Sequence, residues 1–292
     1  MCPGAFPLPL RESWAGVLRR VLEWAGADLG HLSRDILELR ILGAHNMESR
    51  ETRLESHLID GVLVLDAGGL TRSLTFDEQR GIRAILLSHR HFDHVRDLLP
   101  LGLNMAKAGA TVEVYAIEDT IHFVKSKLLD GSIYPDFLKF PSPESPAFHL
   151  NVVEFYKEFQ VMDYTAVAVP VPHAVPAAGF QITLGGVRLF YTGDTGRGIG
   201  EFWDHVSPEV LLTEVTFGNE NQARAIEVGH LTPAFLSEAL ASFSQRHGFL
   251  PKVIVSHMNP PWESAVRREL DALSREIGVE ILVSHADMTL DL

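Results

Sequence analysis

The chain has 292 residues, 46% of them hydrophobic and 22% charged, which excludes disordered, collagenous and coiled-coil polymers and suits a soluble globular protein. Its 38 acidic against 25 basic residues leave a formal net charge of −13, so no general field draws polyanions and a large nucleic-acid footprint is not expected. Cys2 is the single cysteine, which excludes an intramolecular disulfide and a multi-thiolate metal site and suits a reducing compartment.

Taken in chain order, Trp14, Val17, Leu18, Val21 and Leu22 fall at helical spacing and predict a helical N-terminal extension over residues 1–36. Arg11, Glu12, Arg19, Arg20 and Glu23 interrupt any secretory h-region there, and a cytoplasmic protein is expected. One folded domain, residues 37–292, follows. Its first strand is expected at Leu37–Leu42. A hairpin comes next, with Ser56–Ile59 and Val62–Leu65 joined by Asp60-Gly61. Apolar runs at Ala84–Leu87 and Val253–Val255 read as short buried strands, and helices are predicted over 95–108, 117–129, 233–246 and 263–277. Pro135, Pro141, Pro143 and Pro146 mark 134–146 as a surface loop or lid. The run Tyr164–Val187 lacks Asp, Glu, Lys and Arg. Pro170, Pro172 and Pro176 nevertheless exclude a spanning helix, and Ala166–Val169 alternate as a strand does. A second hairpin turns at Gly185-Gly186, between Gly179–Thr183 and Val187–Tyr191. The mixture is α/β or α+β.

The chemistry concentrates after Ala84–Leu87, where Ser88-His89-Arg90-His91-Phe92-Asp93-His94 packs three imidazoles and a carboxylate into six positions. An extended backbone projects His89 and His91 the same way, and Asp93 and His94 turn aside as a helix begins, so one loop can serve two metal ions. Further ligands stand at the ends of strand-like runs: His173 after Val167–Val171, Asp194 after Leu189–Gly193, and His257 after Val253–Ser256. Strand ends of an α/β sheet converge along one edge, where such sites form. Gly193 and Gly196 around Asp194 suit a tight turn. The histidines at 31, 45, 57, 122, 149, 205, 247 and 285 lack such context and are read as structural or surface residues.

In that order, Asp66 in Leu-Asp-Ala-Gly, the 89–94 cluster, His173, Asp194 and His257 resemble the motifs of the metallo-β-lactamase superfamily over roughly residues 37–292. The resemblance implies a four-layer αβ/βα sandwich of two mixed β-sheets. It implies His89, His91 and His173 on one metal, Asp93, His94 and His257 on the other, and Asp194 with a hydroxide bridging them. Asp66 would support the ligand loops. The ions would be divalent, Zn²⁺ first, with Mn²⁺ and Fe²⁺ as alternatives since imidazole and carboxylate suit all three.

Leu212–Phe217, which contains Glu214, and Gly229-His230-Leu231-Thr232-Pro233 resemble the superfamily's phosphodiesterases, including tRNase Z and the class II cyclic-nucleotide enzymes. In those families the Glu orients the His, which hands a proton to the leaving oxygen. Asp93, Glu214 and His230 are thus the expected catalytic residues. Thr232 as N-cap and Pro233 at the first helical position would fix His230 on a rigid turn. Leu128–Phe137 and Val253–Pro260 resemble class II segments, whereas His173–Phe180 is nearer to tRNase Z. The expected reaction is dinuclear metal-dependent hydrolysis of a small phosphodiester such as a 3′,5′-cyclic nucleotide. The alternatives are tRNA 3′-processing and a metal-binding fold member without hydrolysis. A membrane partner is not expected, a homodimer is one assembly the chain allows, and residues 1–36 would either cover an interface or cap the sheet.

Overall fold

Strand residues alternate between two faces, and in the computed structural model, which describes residues 36–292, that alternation sorts the core into layers. The first half contributes β1 (Glu38–Gly43), β2 (Ser56–Ile59), β3 (Leu63–Leu65), β4 (Ala84–Leu86), β5 (Val112–Ala116), the two-residue β6 (Pro141–Ser142) and β7 (Ser145–Pro146), and β8 (Phe148–Val152). The second half contributes β9 (Glu158–Val161), β10 (Tyr164–Val171), β11 (Ala177–Leu184), β12 (Val187–Tyr191), β13 (Val210–Glu214), β14 (Lys252–Ser256), β15 (Ile281–Val283) and β16 (Thr289–Asp291). One sheet runs β16-β1-β2-β3-β4-β5-β8, the other β15-β14-β13-β12-β11-β10-β9. Both are mixed: β3, β4, β5 and β8 are parallel neighbours, as are β12 to β15, and the remaining pairs are antiparallel.

Leu63 and Leu65 of β3 enter a core between the sheets while Val64 faces outward. Leu189 and Tyr191 of β12 do the same opposite Phe190, and Ile254 of β14 opposite Val253 and Val255. Strands apolar on both faces need cover on both. Leu98, Leu101 and Met105 of the helix Leu98–Ala108, with Ile121 of Glu118–Phe123, cover the outside of the first sheet. Phe235, Leu240 and Phe243 of Pro233–His247, with Val266 and Leu270 of Glu263–Ile277, cover the second. The architecture is the anticipated α/β fold, a four-layer αβ/βα sandwich.

Both hairpins form where expected, with Asp60 and Gly61 at φ 49° and 71° and Gly185 at φ 58°. The helix expected over 95–108 is divided: Phe92–Val95 is a short helix and a new one starts at Leu98. Asp97 interrupts them because its N–H is drawn to the Ala67 carbonyl (2.7 Å) and its carboxylate to the N–H and hydroxyl of Thr71 (2.7 and 2.8 Å). The segment expected to be helical over 117–129 is α-helical over Glu118–Phe123 and π-helical over Val124–Leu128. The proline-rich 134–146 is no free lid, since Phe137 is fully buried against Phe148 and Gly102. The helix expected in residues 12–26 lies outside the described residues. No described helix is long and apolar enough to cross a membrane.

Candidate metal centre

Strand direction assembles the site. The strands β12, β13 and β14 are parallel, and β10 is antiparallel to β11, which is antiparallel to β12, so all four end on the same edge. His173 follows β10, Asp194 follows β12, Glu214 closes β13 and His257 follows β14. From the other sheet, Asp66 follows β3 and the 89–94 cluster follows β4. Gly193, at φ +57°, must be glycine, because a Cβ there would lie 2.5 Å from Ser88 Cβ.

Two groups of ligand atoms result. His89, His91, His173 and Asp194 form the first, and Asp93, His94 and His257 the second. In the first, His173 Nε2 stands 3.2 Å from His91 Nδ1, and in the second His94 Nε2 stands 3.2 Å from His257 Nε2. A tetrahedral zinc ion with bonds of ~2.0–2.1 Å sets neighbouring ligand nitrogens ~3.3 Å apart. Asp194 faces both groups. Its Oδ2 is 3.7 Å from His89 Nε2 and His173 Nε2, and its Oδ1 is 3.2 Å from His94 Nε2 and 3.3 Å from His257 Nε2. Among the described residues, buried His89 Nε2 has no hydrogen-bond partner, a cost that a cation beside it removes. The donor set and its spacing thus fit two divalent ions, and the residues that could hold them are His89, His91, His173, Asp93, His94, His257 and Asp194.

The supporting layer sets the tautomers. Buried Asp66 accepts from Ser88 N (2.7 Å), Ser88 Oγ (2.6 Å) and Tyr191 OH (2.7 Å), and lies 2.7 Å from His94 Nδ1, leaving His94 Nε2 free for a cation. His173 Nδ1 is fixed by the Gly229 carbonyl at 2.8 Å. Burial pulls His89, His91 and His173 below the ordinary imidazole value. Burial also acts on His94 and His257, but there Asp194 and the other carboxylates outweigh it, raising His94 well above the usual range and His257 to about 9. Burial opposes ionisation of Asp194, and the surrounding histidines, His257 and His94 first, overcome it and hold the carboxyl well below its usual value.

Beside the cluster sits the expected dyad. Glu214 Oε1 lies 2.6 Å from His230 Nδ1 and accepts from Thr195 N at 3.0 Å. Glu214 Oε2 accepts from Thr216 N (3.0 Å), Thr216 Oγ1 (2.7 Å) and Leu231 N (3.3 Å). His230 keeps Nε2 toward the centre, 4.0 Å from Asp194 Oδ2, with its side chain 13% exposed. Burial lowers its proton affinity, but Glu214 more than compensates and the net shift is upward. Thr232 caps the next helix by accepting from Phe235 N, and Pro233 starts it, as the sequence suggested. His230 also belongs to a group with Asp194 and His257 compact enough to hold an ion.

Every expected site residue converges, and His45 and His57, read as structural, are buried outside the ligand sets. Sequence reasoning passed over three residues. Thr216 Oγ1 contacts Glu214, the His257 carbonyl (3.0 Å) and His257 Nδ1 (3.1 Å), linking the dyad to a ligand. Glu55 reaches the His257 backbone, and Tyr191 holds Asp66. The spacing of Thr216 two residues after Glu214 was a usable signal, whereas nothing local marks Glu55.

The family model described as beta-lactamase superfamily domain matches residues 58–258. Cleavage and polyadenylation specificity factor 73 of Drosophila melanogaster is 23% identical over 202 residues, which make up 63% of this chain. The match spans 29% of that relative's length. Among solved structures, unliganded yeast PDE1 superposes with a TM-score of 0.75 at 14% identity, covering 88% of this chain and 99% of that one. The metallo-beta-lactamase fold protein YhfI from Bacillus subtilis gives 0.70 at 14% identity, covering 88% and 100%. Members of this superfamily are mostly metal-dependent hydrolases. A fold shared with such structures, and a family model that spans more than half of the sequence and contains all seven candidate ligands, lead to one conclusion: the chain belongs to the beta-lactamase superfamily.

Proposed function

We propose that this protein is a dinuclear metal-dependent phosphodiesterase acting on a small nucleotide, a 3′,5′-cyclic nucleotide being the leading candidate. The observation that carries the reading is the Glu214–His230 pair, bonded at 2.6 Å, with His230 Nε2 4.0 Å from Asp194, the carboxylate that faces both ligand groups. Two ions held by the seven ligands would polarise the phosphoryl oxygens and make a hydroxide nucleophile available at neutral pH. The chain's own part is proton delivery. His230, kept protonated by Glu214, donates from Nε2 to the departing oxygen, and the Glu214 carboxylate stays bonded to Nδ1 throughout. Four further contacts from Thr195, Thr216 and Leu231 hold the Glu214 side chain in place against His230. Asp93, whose Oδ2 lies 3.2 Å from His257 Nε2, would supply the carboxylate of the second ligand set.

Small substrates are favoured over RNA by the charges around the mouth. Each arginine next to a ligand loop is already paired: Arg90 with Asp119, Arg96 with Glu48 and Asp97, Arg197 with Glu238. Binding an extended phosphate backbone relies on clustered, uncommitted cations, and the chain as a whole carries −13. The test is parallel hydrolysis of bis-p-nitrophenyl phosphate, 3′,5′-cyclic AMP and a precursor tRNA by metal-loaded protein. Turnover of cyclic AMP that is lost in His230→Ala supports the reading. Cleavage of the tRNA alone moves the substrate to RNA, and two bound ions with no turnover of any substrate refute the phosphodiesterase assignment.

A further inference from the structure

The second ligand group contains a residue in an unfavourable backbone state. His257 sits at φ +52°, the left-handed region that side chains other than glycine rarely adopt, so something must hold it there. Thr216 Oγ1 meets its carbonyl and its Nδ1. The remaining restraint is on its N–H, which donates to Glu55 Oε2 at 3.2 Å, while the same oxygen accepts from Ser256 Oγ at 2.8 Å. Glu55 is 2% exposed, belongs to the other sheet's side of the molecule, and lies some 200 positions away in sequence. A buried carboxylate needs full satisfaction, and its second oxygen has it: Oε1 lies 2.6 Å from His57 Nε2, whose ring packs edge-on against Tyr191 at 5.4 Å.

The backbone of Glu55 reaches the other half of the same ligand group. Its carbonyl accepts from Gly68 N at 3.0 Å, and the adjacent Ala67 N donates to the His94 carbonyl at 2.7 Å. Glu55 therefore restrains both arms of the Asp93, His94 and His257 set, one through its side chain and one through its main chain. The histidines of the first group, His89, His91 and His173, receive none of these contacts. Their supports are Ser88 on His89 and Gly229 on His173.

We propose that Glu55 is a positioning residue that sets the affinity of one metal subsite, the one built from Asp93, His94 and His257, by holding the left-handed backbone of His257. The proposal rests on the dinuclear reading above. Removing a partner that orients a metal ligand typically weakens binding by ~10–100-fold, and here that loss is selective for one of two ions.

The experiment is titration of metal-stripped protein with Zn²⁺, with stoichiometry and both dissociation constants measured for wild type, Glu55→Gln and Ser256→Ala. Wild type is expected to bind two ions. Glu55→Gln should weaken one constant by about 10–100-fold and leave the other unchanged, and Ser256→Ala should shift the same constant by less. A merely structural role lowers both constants together. If wild type binds a single ion or none, the dinuclear reading itself fails. If it binds two and both constants are unchanged in Glu55→Gln, or fall in parallel, the positioning role is overturned. Should Glu55→Gln not fold, Ser256→Ala decides, with a selective loss supporting the role and unchanged constants rejecting it.

Discussion

Replacing His230 by alanine separates proton delivery from metal binding. The imidazole is not among the seven proposed ligands, and Glu214 loses only one of its contacts, retaining Thr195 N on one oxygen and Thr216 N, Thr216 Oγ1 and Leu231 N on the other. The buried Glu214 carboxylate loses its imidazole partner but keeps these four hydrogen bonds, so the variant should fold with reduced stability and keep its metal. General acid catalysis supplies about 10²–10⁴-fold, so kcat on cyclic AMP should fall by that factor, ~3–5 kcal/mol of barrier. The loss should depend on the leaving group. An alkoxide leaving from a cyclic nucleotide needs the proton, whereas p-nitrophenolate departs readily without it, so bis-p-nitrophenyl phosphate should lose far less. The pH dependence follows from sign: the active acid is protonated His230, whose pKa is raised by Glu214 after burial has opposed it. Wild-type turnover of cyclic AMP should decline as pH rises through that raised value, and His230→Ala should lack this alkaline limb. Steady-state kinetics on both substrates across pH, with metal content measured in parallel, makes the check. Equal losses on the two substrates, or loss of metal, would refute the assignment.

Asp66→Ala removes an acceptor from three donors and from His94 Nδ1, all within 2.6–2.7 Å, and should lower stability by about 3–5 kcal/mol, read as a urea midpoint shift. An unchanged midpoint would show that the network is dispensable. Gly229→Ala adds a Cβ 2.9 Å from Ala174 N and His173 Cα at a residue with φ +74°, so it should displace His173 and weaken the ion of the first group, measurable by zinc titration. In metal-free protein His257 titrates near 9 rather than 6.5, burial having been outweighed first by Asp194. A cation must displace that proton, so zinc affinity should rise with pH up to about 9, with proton release visible by calorimetry in buffers of differing ionisation enthalpy. By the same shift, His257 stabilises the metal-free fold fully below 6.5, and that contribution disappears as pH rises through 9. A flat affinity between pH 6 and 9 would contradict both.

What was legible in the sequence is what depends on short range. Short apolar runs such as Leu63-Val64-Leu65 could be read locally as buried strands, whereas the layering that covers both of their faces came from the family resemblance and not from the runs themselves. Nor could the end of the helix predicted from residue 95 be read locally. Val95 to Leu98 reads as helical by pattern, but Asp97 is captured by Ala67 and Thr71, residues some thirty positions earlier, and a tertiary bond outweighs local propensity.

The site divides in the same way. Ligand histidines and aspartates announce themselves because a metal demands several donors of one chemical kind, and His89 to His94 supplies them within six positions. Glu214 and His230 are legible through their motifs. Glu55 is not, since before the sheets are assembled it reads as one more surface carboxylate in Arg53-Leu54-Glu55-Ser56, on a chain that has 38 acidic residues. Its value comes from a backbone state, the left-handed His257, that no local pattern advertises and that exists only because β14 ends against the start of β2. The residues proposed to hold metal and deliver the proton are therefore legible in local motifs. Those that hold them in place are written as topology, and they are recovered only by asking what satisfies each buried donor.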